Sequence, residues 1–208
     1  MHTLAGLYLI TPDWDDTAQL IEVTEQALLG GAALVQYRHK FADAALRQQQ
    51  ASALLALCRR FNKPFIINDH LDLCLALDAD GIHVGGTDAS VATIRAAVGP
   101  DKIVGASCYG DMQLAQAAHL AGASYVAFGG FYPSRVKKYP VTTPFDIVSQ
   151  ACATLPLPNV VIGGMSAENC RPLVAAGAHM VAAISSVYLA EHPQAAARAF
   201  AQLLERRA

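Results

Sequence analysis

The polar side chains of this sequence gather at the ends of short apolar runs, and their types suit the handling of phosphates. Gln36-Tyr37-Arg38-His39-Lys40 follows one run, Asn68-Asp69-His70 the next, and His83 to Asp88 the one after. Ser107 lies in a fifth run, and a sixth leads into a loop carrying Ser134, Arg135, Lys137 and Lys138. Alternation along an extended strand turns Gln36, Arg38 and Lys40 the same way. Arg38, Lys40 and Lys137 beside Asp69 and Asp88 suit a diphosphate with a divalent cation. Carboxylate oxygens hold hard Mg²⁺, and the bases neutralise the outer phosphate charge. Gly163-Gly164 and Ser185-Ser186 suit a monophosphate instead, because glycine lets backbone N–H groups approach an anion near a helix start. Two anion sites of different kinds suggest two phosphorylated small-molecule substrates.

Taken singly, these residues have plainer roles. Arg38 and Lys40 suit a solvated strand end, and Asp69 or Asp88 suits a helix N-cap. A histidine such as His83, pointing inward, is more often a satisfied core residue than a metal ligand or base. His39 and His70 read as rim residues, and Gly163-Gly164 as a tight turn. The grouping of all of them at run ends favours chemistry over these alternatives.

The elements that must position them repeat along the chain. Strand-like runs cover Leu7–Thr11, Ala33–Arg38, Pro64–Asp69, Gly81–Gly85, Ile103–Cys108, Tyr125–Phe131, Asn159–Met165 and His179–Ser185. Their apolar residues are nearly continuous, as in parallel strands buried on both faces. Between them, helical spacing predicts Asp15–Leu29, Asp43–Phe61, Leu71–Leu77, Asp88–Val98, Asp111–Ala121, Pro144–Thr154, Ser166–Ala176 and Pro193–Arg206. Asp or Ser opens several, and Gly30, Gly99, Gly122 and Gly177 close others. Eight such units in 208 residues predict an α/β protein, a single-domain TIM (β/α)8 barrel over residues 1–208. A doubly wound sheet also alternates strand and helix, but no GxGxxG follows the first run. In a barrel the strand ends listed above share one rim, where catalysis belongs.

Composition narrows the partners. Hydrophobic residues make up 53% and charged residues 15% of the chain, enough for a large core and too little charge for disorder. A net charge of −2 supplies no global field to draw in nucleic acid or an acidic membrane. Cys58, Cys74, Cys108, Cys152 and Cys170 are scattered, without CxxC spacing, which favours reduced thiols. No apolar stretch approaches the roughly 18 residues of a membrane span, and no basic leader precedes Asp13, so a cytoplasmic location is expected. The oligomeric state is left open, a homo-oligomer included.

In this order, the segments resemble the thiamine-phosphate synthase family over nearly the whole chain. Its QxRxK is met by Gln36, Arg38 and Lys40, its ND by Asn68 and Asp69, and its HxGQxD by His83 to Asp88. GxS is Gly105 to Ser107, and FGPxFPTxTK is matched by FGGFYPSRVK from Phe128 to Lys137. IGG is Ile162 to Gly164, and AxxS is Ala182 to Ser185. Gly86 replaces the usual Gln, Gly130 a frequent Pro, and Val136 a hydroxyl residue.

The resemblance implies coupling of hydroxymethylpyrimidine diphosphate to a thiazole monophosphate. Pyrophosphate leaves first, and the thiazole nitrogen captures the pyrimidine-stabilised cation. It implies Mg²⁺ on Asp69 and Asp88, with the diphosphate on Gln36, Arg38, Lys40, Asn68, Ser107 and Lys137. Lys137, Arg38 and Ser107 would serve catalysis. Gly164, Ile184 and Ser185 would hold the thiazole phosphate, with Ser134 nearby. Two other readings remain at this point: a thiazole tautomerase-like isomerase of the same fold, and a non-catalytic barrel that binds thiamine precursors.

Overall fold

The computed structural model describes residues 4–85, 90–133 and 142–205, and eight parallel strands in it close into a barrel in sequence order. They are β1 (Gly6–Ile10), β2 (Ala32–Tyr37), β3 (Phe65–Asn68), β4 (Gly81–Val84), β5 (Ile103–Tyr109), β6 (Tyr125–Gly129), β7 (Asn159–Ile162) and β8 (Met180–Ala183). β8 completes the barrel by pairing with β1, Leu7 lying opposite Val181 and Leu9 opposite Ala183. Helices return between strands: α1 (Thr17–Leu29), α2 (Ala44–Arg60), α3 (Leu71–Ala76), α4 (Val91–Val98), α5 (Met112–Leu120), α6 (Asp146–Thr154) and α7 (Arg171–Ala176). After β8 come a four-residue helix, α8 (Ser185–Tyr188), and α9 (Pro193–Glu205). Among the described residues no helix is long and apolar enough to cross a membrane.

Both faces of the strands are buried, which explains their continuous apolar runs. On β1, Leu7 and Leu9 join the core between barrel and helices, whereas Tyr8 and Ile10 belong to a second core inside the barrel. Leu34, Ile66, Val160, Met180 and Ala182 complete that inner packing. The alternation continues past the strand ends and turns Gln36, Arg38 and Lys40 into the mouth.

Caps set the helix starts. Asp16, Asp43, Ser90 and Asp111 each accept a backbone N–H from the first turn of α1, α2, α4 and α5. Ser90 thus fills the capping role considered for Asp88, and the helix expected from Asp88 starts at Val91. The helix expected over Ser166–Ala176 also starts late, at Arg171. Asn169 Oδ1 accepts from Ser166 N at 2.8 Å and Ser166 Oγ from Asn169 N at 3.2 Å, local bonds that compete with a helical turn. The last strand stops at Ala183, and Ser185, expected at its end, opens α8 instead.

At the opposite, N-terminal face of the barrel, Arg95 ties two loops together. Its guanidinium donates to the carbonyls of Gly99, Lys102 and Gly122 and to Ser124 Oγ, at 2.7–2.9 Å. Ser124 Oγ also accepts from Val104 N at 3.1 Å, so the entries to β5 and β6 share this clamp. Arg95→Ala is expected to lower unfolding free energy by about 2–3 kcal/mol in urea titrations, through lost charge-assisted bonds and orphaned acceptors. The barrel mouth should keep its geometry, because this face lies away from it. An unchanged urea midpoint would remove Arg95 from the stability account.

Candidate active site

A cavity of about 340 Å³ opens at the C-terminal ends of the strands. Gln36, Arg38, Lys40, Asn68, Asp69, Ser107, Gly164, Ile184 and Ser185 all line it, so these sequence-predicted positions share one space. Asp88, Ser134 and Lys137 lie outside the described residues, as do Gly86 and Val136.

The cationic edge is held by the end of β1. Thr11 Oγ1 donates to Arg38 O at 3.0 Å and accepts from Arg38 N at 2.8 Å, which fixes the backbone there. Asp13 accepts from Arg38 Nη1 at 3.3 and 3.4 Å and from Lys40 N at 2.8 Å. Arg38 is therefore no solvated strand end: it is 7% exposed and aimed by a carboxylate. Its guanidinium has five N–H donors, and those not on Asp13 suit phosphate oxygens. Asp13 was not singled out from the sequence, because a lone Asp after Pro12 reads as an ordinary turn residue. His39 is a rim residue as expected. Its Nδ1 accepts from Ala42 N at 3.0 Å, so its Nε2–H faces Asp15 Oδ1, also at 3.0 Å.

At the end of β3 the chain turns sharply. Asp69 adopts φ 64°, a left-handed conformation that costs a non-glycine residue energy and clusters at functional sites. Asp69 N donates to His83 O at 2.9 Å, and Asn68 Nδ2 to Asp69 Oδ2 at 2.6 Å. The carboxylate is thus oriented by its neighbour and caps no helix; α3 has no side-chain cap.

Below this edge a hydrogen-bonded chain crosses the barrel interior. Gln36 Nε2 donates to Tyr8 Oη at 2.6 Å, and Tyr8 Oη meets Tyr125 Oη at 2.7 Å. Tyr125 Oη meets His83 Nδ1 at 2.9 Å, and His83 Nε2 meets Ser107 Oγ at 2.9 Å. Five strands contribute to it, and Gln36, Tyr8, His83 and Ser107 line the cavity. His83 is also stacked on the Tyr125 ring, with centroids 5.6 Å apart. Both of its ring nitrogens are bonded, and it lines the cavity as well. Burial pushes the Tyr8 and Tyr125 phenols well above their ordinary range, so both stay neutral. The sequence reading missed these two tyrosines; its one signal was Gly105. A Cβ there would overlap the Tyr125 ring and hydroxyl and lie 2.6 Å from His83 Nδ1.

The far wall joins the loops after β6, β7 and β8. Gly164 adopts φ 64°, and a Cβ on it would overlap the carbonyl oxygen of Pro133. Asn169 Nδ2 donates to Gly164 O at 2.8 Å and Tyr132 Oη to Asn169 O at 2.6 Å, locking two loops together. Because α7 begins at Arg171, Gly163-Gly164 stands in an irregular loop and not at a helix start, contrary to expectation. The helix start at this wall belongs to α8, where Ser185 lines the cavity. Ser186, behind it, has a buried hydroxyl without a hydrogen-bond partner among the described residues. An orphaned buried hydroxyl costs about 1–3 kcal/mol, which an anion's oxygen would offset. Gly130, where the family pattern often has proline, adopts φ 87°, which a proline ring forbids. Its carbonyl accepts from Thr142 N and Thr143 N, at 3.2 and 3.3 Å.

No group of three or more His, Cys, Asp or Glu able to hold a metal occurs among the described residues. Mg²⁺ needs no such cage, since it commonly takes one or two carboxylates together with substrate phosphates and water. An oriented rim carboxylate, Asp69, beside the Arg38–Lys40 edge fits that mode.

The family model for thiamine monophosphate synthase matches residues 7–187. The chain is 70% identical over 200 residues to a thiamine-phosphate synthase of Janthinobacterium sp. (strain Marseille), covering 96% of this chain and 97% of that one. It is 48% identical over 201 residues to the corresponding protein of Methylobacillus flagellatus, covering 96% and 95%. Among solved structures, a thiamine phosphate pyrophosphorylase from Pyrococcus furiosus superposes with a TM-score of 0.85 at 28% identity, covering 98% of this chain and 96% of that one.

Gly105→Ala tests the packing of the polar chain. The added methyl is expected to displace Tyr125 and cost at least about 2 kcal/mol of stability, read as a lowered urea midpoint. An unchanged midpoint would mean that Tyr125 does not occupy the space above Gly105.

Proposed function

The chain belongs to the thiamine monophosphate synthase family, and we propose that its barrel mouth joins hydroxymethylpyrimidine diphosphate to a thiazole monophosphate. It is an enzyme, a transferase of thiamine biosynthesis, and its products are thiamine phosphate and pyrophosphate. One observation carries the residue assignment: a single cavity has a cationic edge with an oriented carboxylate on one side and a wall with an unsatisfied hydroxyl on the other. That division matches two anionic substrates brought together by one site.

Arg38 and Lys40, together with Lys137, bind the diphosphate and absorb negative charge as the methylene C–O bond breaks. Preorganised cations of this kind are worth more in a water-poor site than in solution, because they need no reorganisation as charge develops. Asp13 keeps Arg38 aimed at the leaving group. Gln36 and Asn68 bind the pyrimidine diphosphate, and Ser107 contacts the departing pyrophosphate. Asp69 and Asp88 would hold Mg²⁺, which when bound supplies charge neutralisation at the diphosphate. Gly164, Ile184 and Ser185 bind the thiazole phosphate, with Ser134 close by and Ser186 added from the structure. The thiazole nitrogen then forms the new C–N bond to the pyrimidine methylene. Both substrates are small and water-soluble, which suits a cytoplasmic location. An isomerase acting on the thiazole phosphate alone would have no use for the Arg38–Lys40–Asp69 edge.

The test is direct. Purified protein given both substrates and Mg²⁺ should form thiamine phosphate and pyrophosphate in equal amounts, followed by chromatography. Tight binding of both substrates without product would contradict the proposal. Within it, Lys137→Ala should cost about 2–4 kcal/mol of transition-state stabilisation, measured as kcat/KM. A near-normal value would take Lys137 out of the site.

A further inference from the structure

The chain from Gln36 to Ser107 has a direction, and the direction follows from donor and acceptor arithmetic. Tyr8 Oη accepts from Gln36 Nε2, and Tyr8, at the floor of the cavity, is only 1% exposed, which directs its own hydrogen to a protein partner. The partner within reach is Tyr125 Oη. Tyr125, fully buried, then has its hydrogen left for His83 Nδ1. The reverse order would leave the Tyr8 hydrogen without an acceptor inside the barrel, a costly arrangement. With Nδ1 accepting, a neutral imidazole carries its hydrogen on Nε2, which faces Ser107 Oγ. Ser107 Oγ accepts that hydrogen, and its own hydroxyl hydrogen is turned into the cavity that Ser107 lines.

Resting on the synthase reading for its substrate, we propose that Tyr8 and Tyr125 are positioning residues that hold His83 as the Nε2–H tautomer, which presets Ser107 as a hydrogen-bond donor to the departing pyrophosphate. The role is one of polarity. With the other tautomer, Ser107 would spend its hydrogen on His83 and present only lone pairs to an anion. Neither tyrosine touches the substrate diphosphate in this scheme; each acts through His83. Gly105 belongs to the same device, since its missing side chain is what admits the Tyr125 hydroxyl.

Two measurements test this. The first uses the ligand-free wild type with ¹⁵N-labelled histidine, the His83 signals assigned by their loss in His83→Gln. A single Nε2–H tautomer is expected near neutral pH; an Nδ1–H tautomer, or an even mixture, overturns the proposal. The second is kinetic. Tyr125→Phe should lower kcat about tenfold, equivalent to about 1.4 kcal/mol, with KM for the pyrimidine diphosphate changed less than about twofold. In a Ser107→Ala background the same exchange should change kcat less than about twofold, because the group it acts through is gone. Equal losses in both backgrounds would show a packing role only and overturn it. Should Tyr125→Phe fail to fold, Tyr8→Phe is read in the same cycle, with a smaller expected loss and the same non-additivity. Failure of the synthase reading would look different: an inactive wild type with the Nε2–H signal intact.

Discussion

Tyr125 lies over Gly105, and the rest of the site depends on that packing. The interior of a (β/α)8 barrel is ordinarily filled with branched apolar side chains. Here aliphatic residues such as Leu34, Ile66, Val160 and Met180 pack alongside two phenols and an imidazole. Removing three polar side chains from water is tolerable only when their hydrogen bonds are made. The Gln36–Tyr8–Tyr125–His83–Ser107 chain makes them, and in doing so ties β1, β2, β4, β5 and β6 across the barrel. A side chain at position 105 would occupy the place of the hydroxyl at its centre.

The phenols of this floor stay protonated, and among the described residues the charged side chains at the mouth are Arg38, Lys40 and Asp69, with Asp13 behind Arg38. That separation suits a reaction in which negative charge moves onto a leaving group while the reacting carbon stays near neutral walls. The edge is as constrained as the floor. Thr11 and Asp13 fix Arg38, Asn68 orients Asp69, and Asn169 braces the glycine loop against Tyr132. Arg38, Asp69 and the Gly164 loop are thus each aimed by a neighbouring side chain.

The barrel could be read from the sequence because burial on both faces leaves a simple imprint: eight apolar runs with capped helices between them. What was missed follows from competition at element ends. The four residues of α8 are too few to show a helical period, and Ser166 and Asn169 bond to each other where a helix was expected. The rim was legible because charged groups stand out against apolar runs; every predicted site residue in the described chain lines the one cavity. The floor was not. Tyr8 within Leu7–Ile10 and Tyr125 within Tyr125–Phe128 look like ordinary core aromatics. That their hydroxyls meet is a contact across 117 residues of chain, which only barrel closure creates.

On the proposed function, one mouth holds two anions on opposite sides. A crystal structure with thiamine phosphate, pyrophosphate and Mg²⁺ would show where each binds. Pyrophosphate with Mg²⁺ is expected at Arg38, Lys40 and Asp69, and the phosphate of thiamine phosphate at Gly164, Ser185 and Ser186. Both anions bound on the same side, or either bound away from the mouth, would contradict that arrangement.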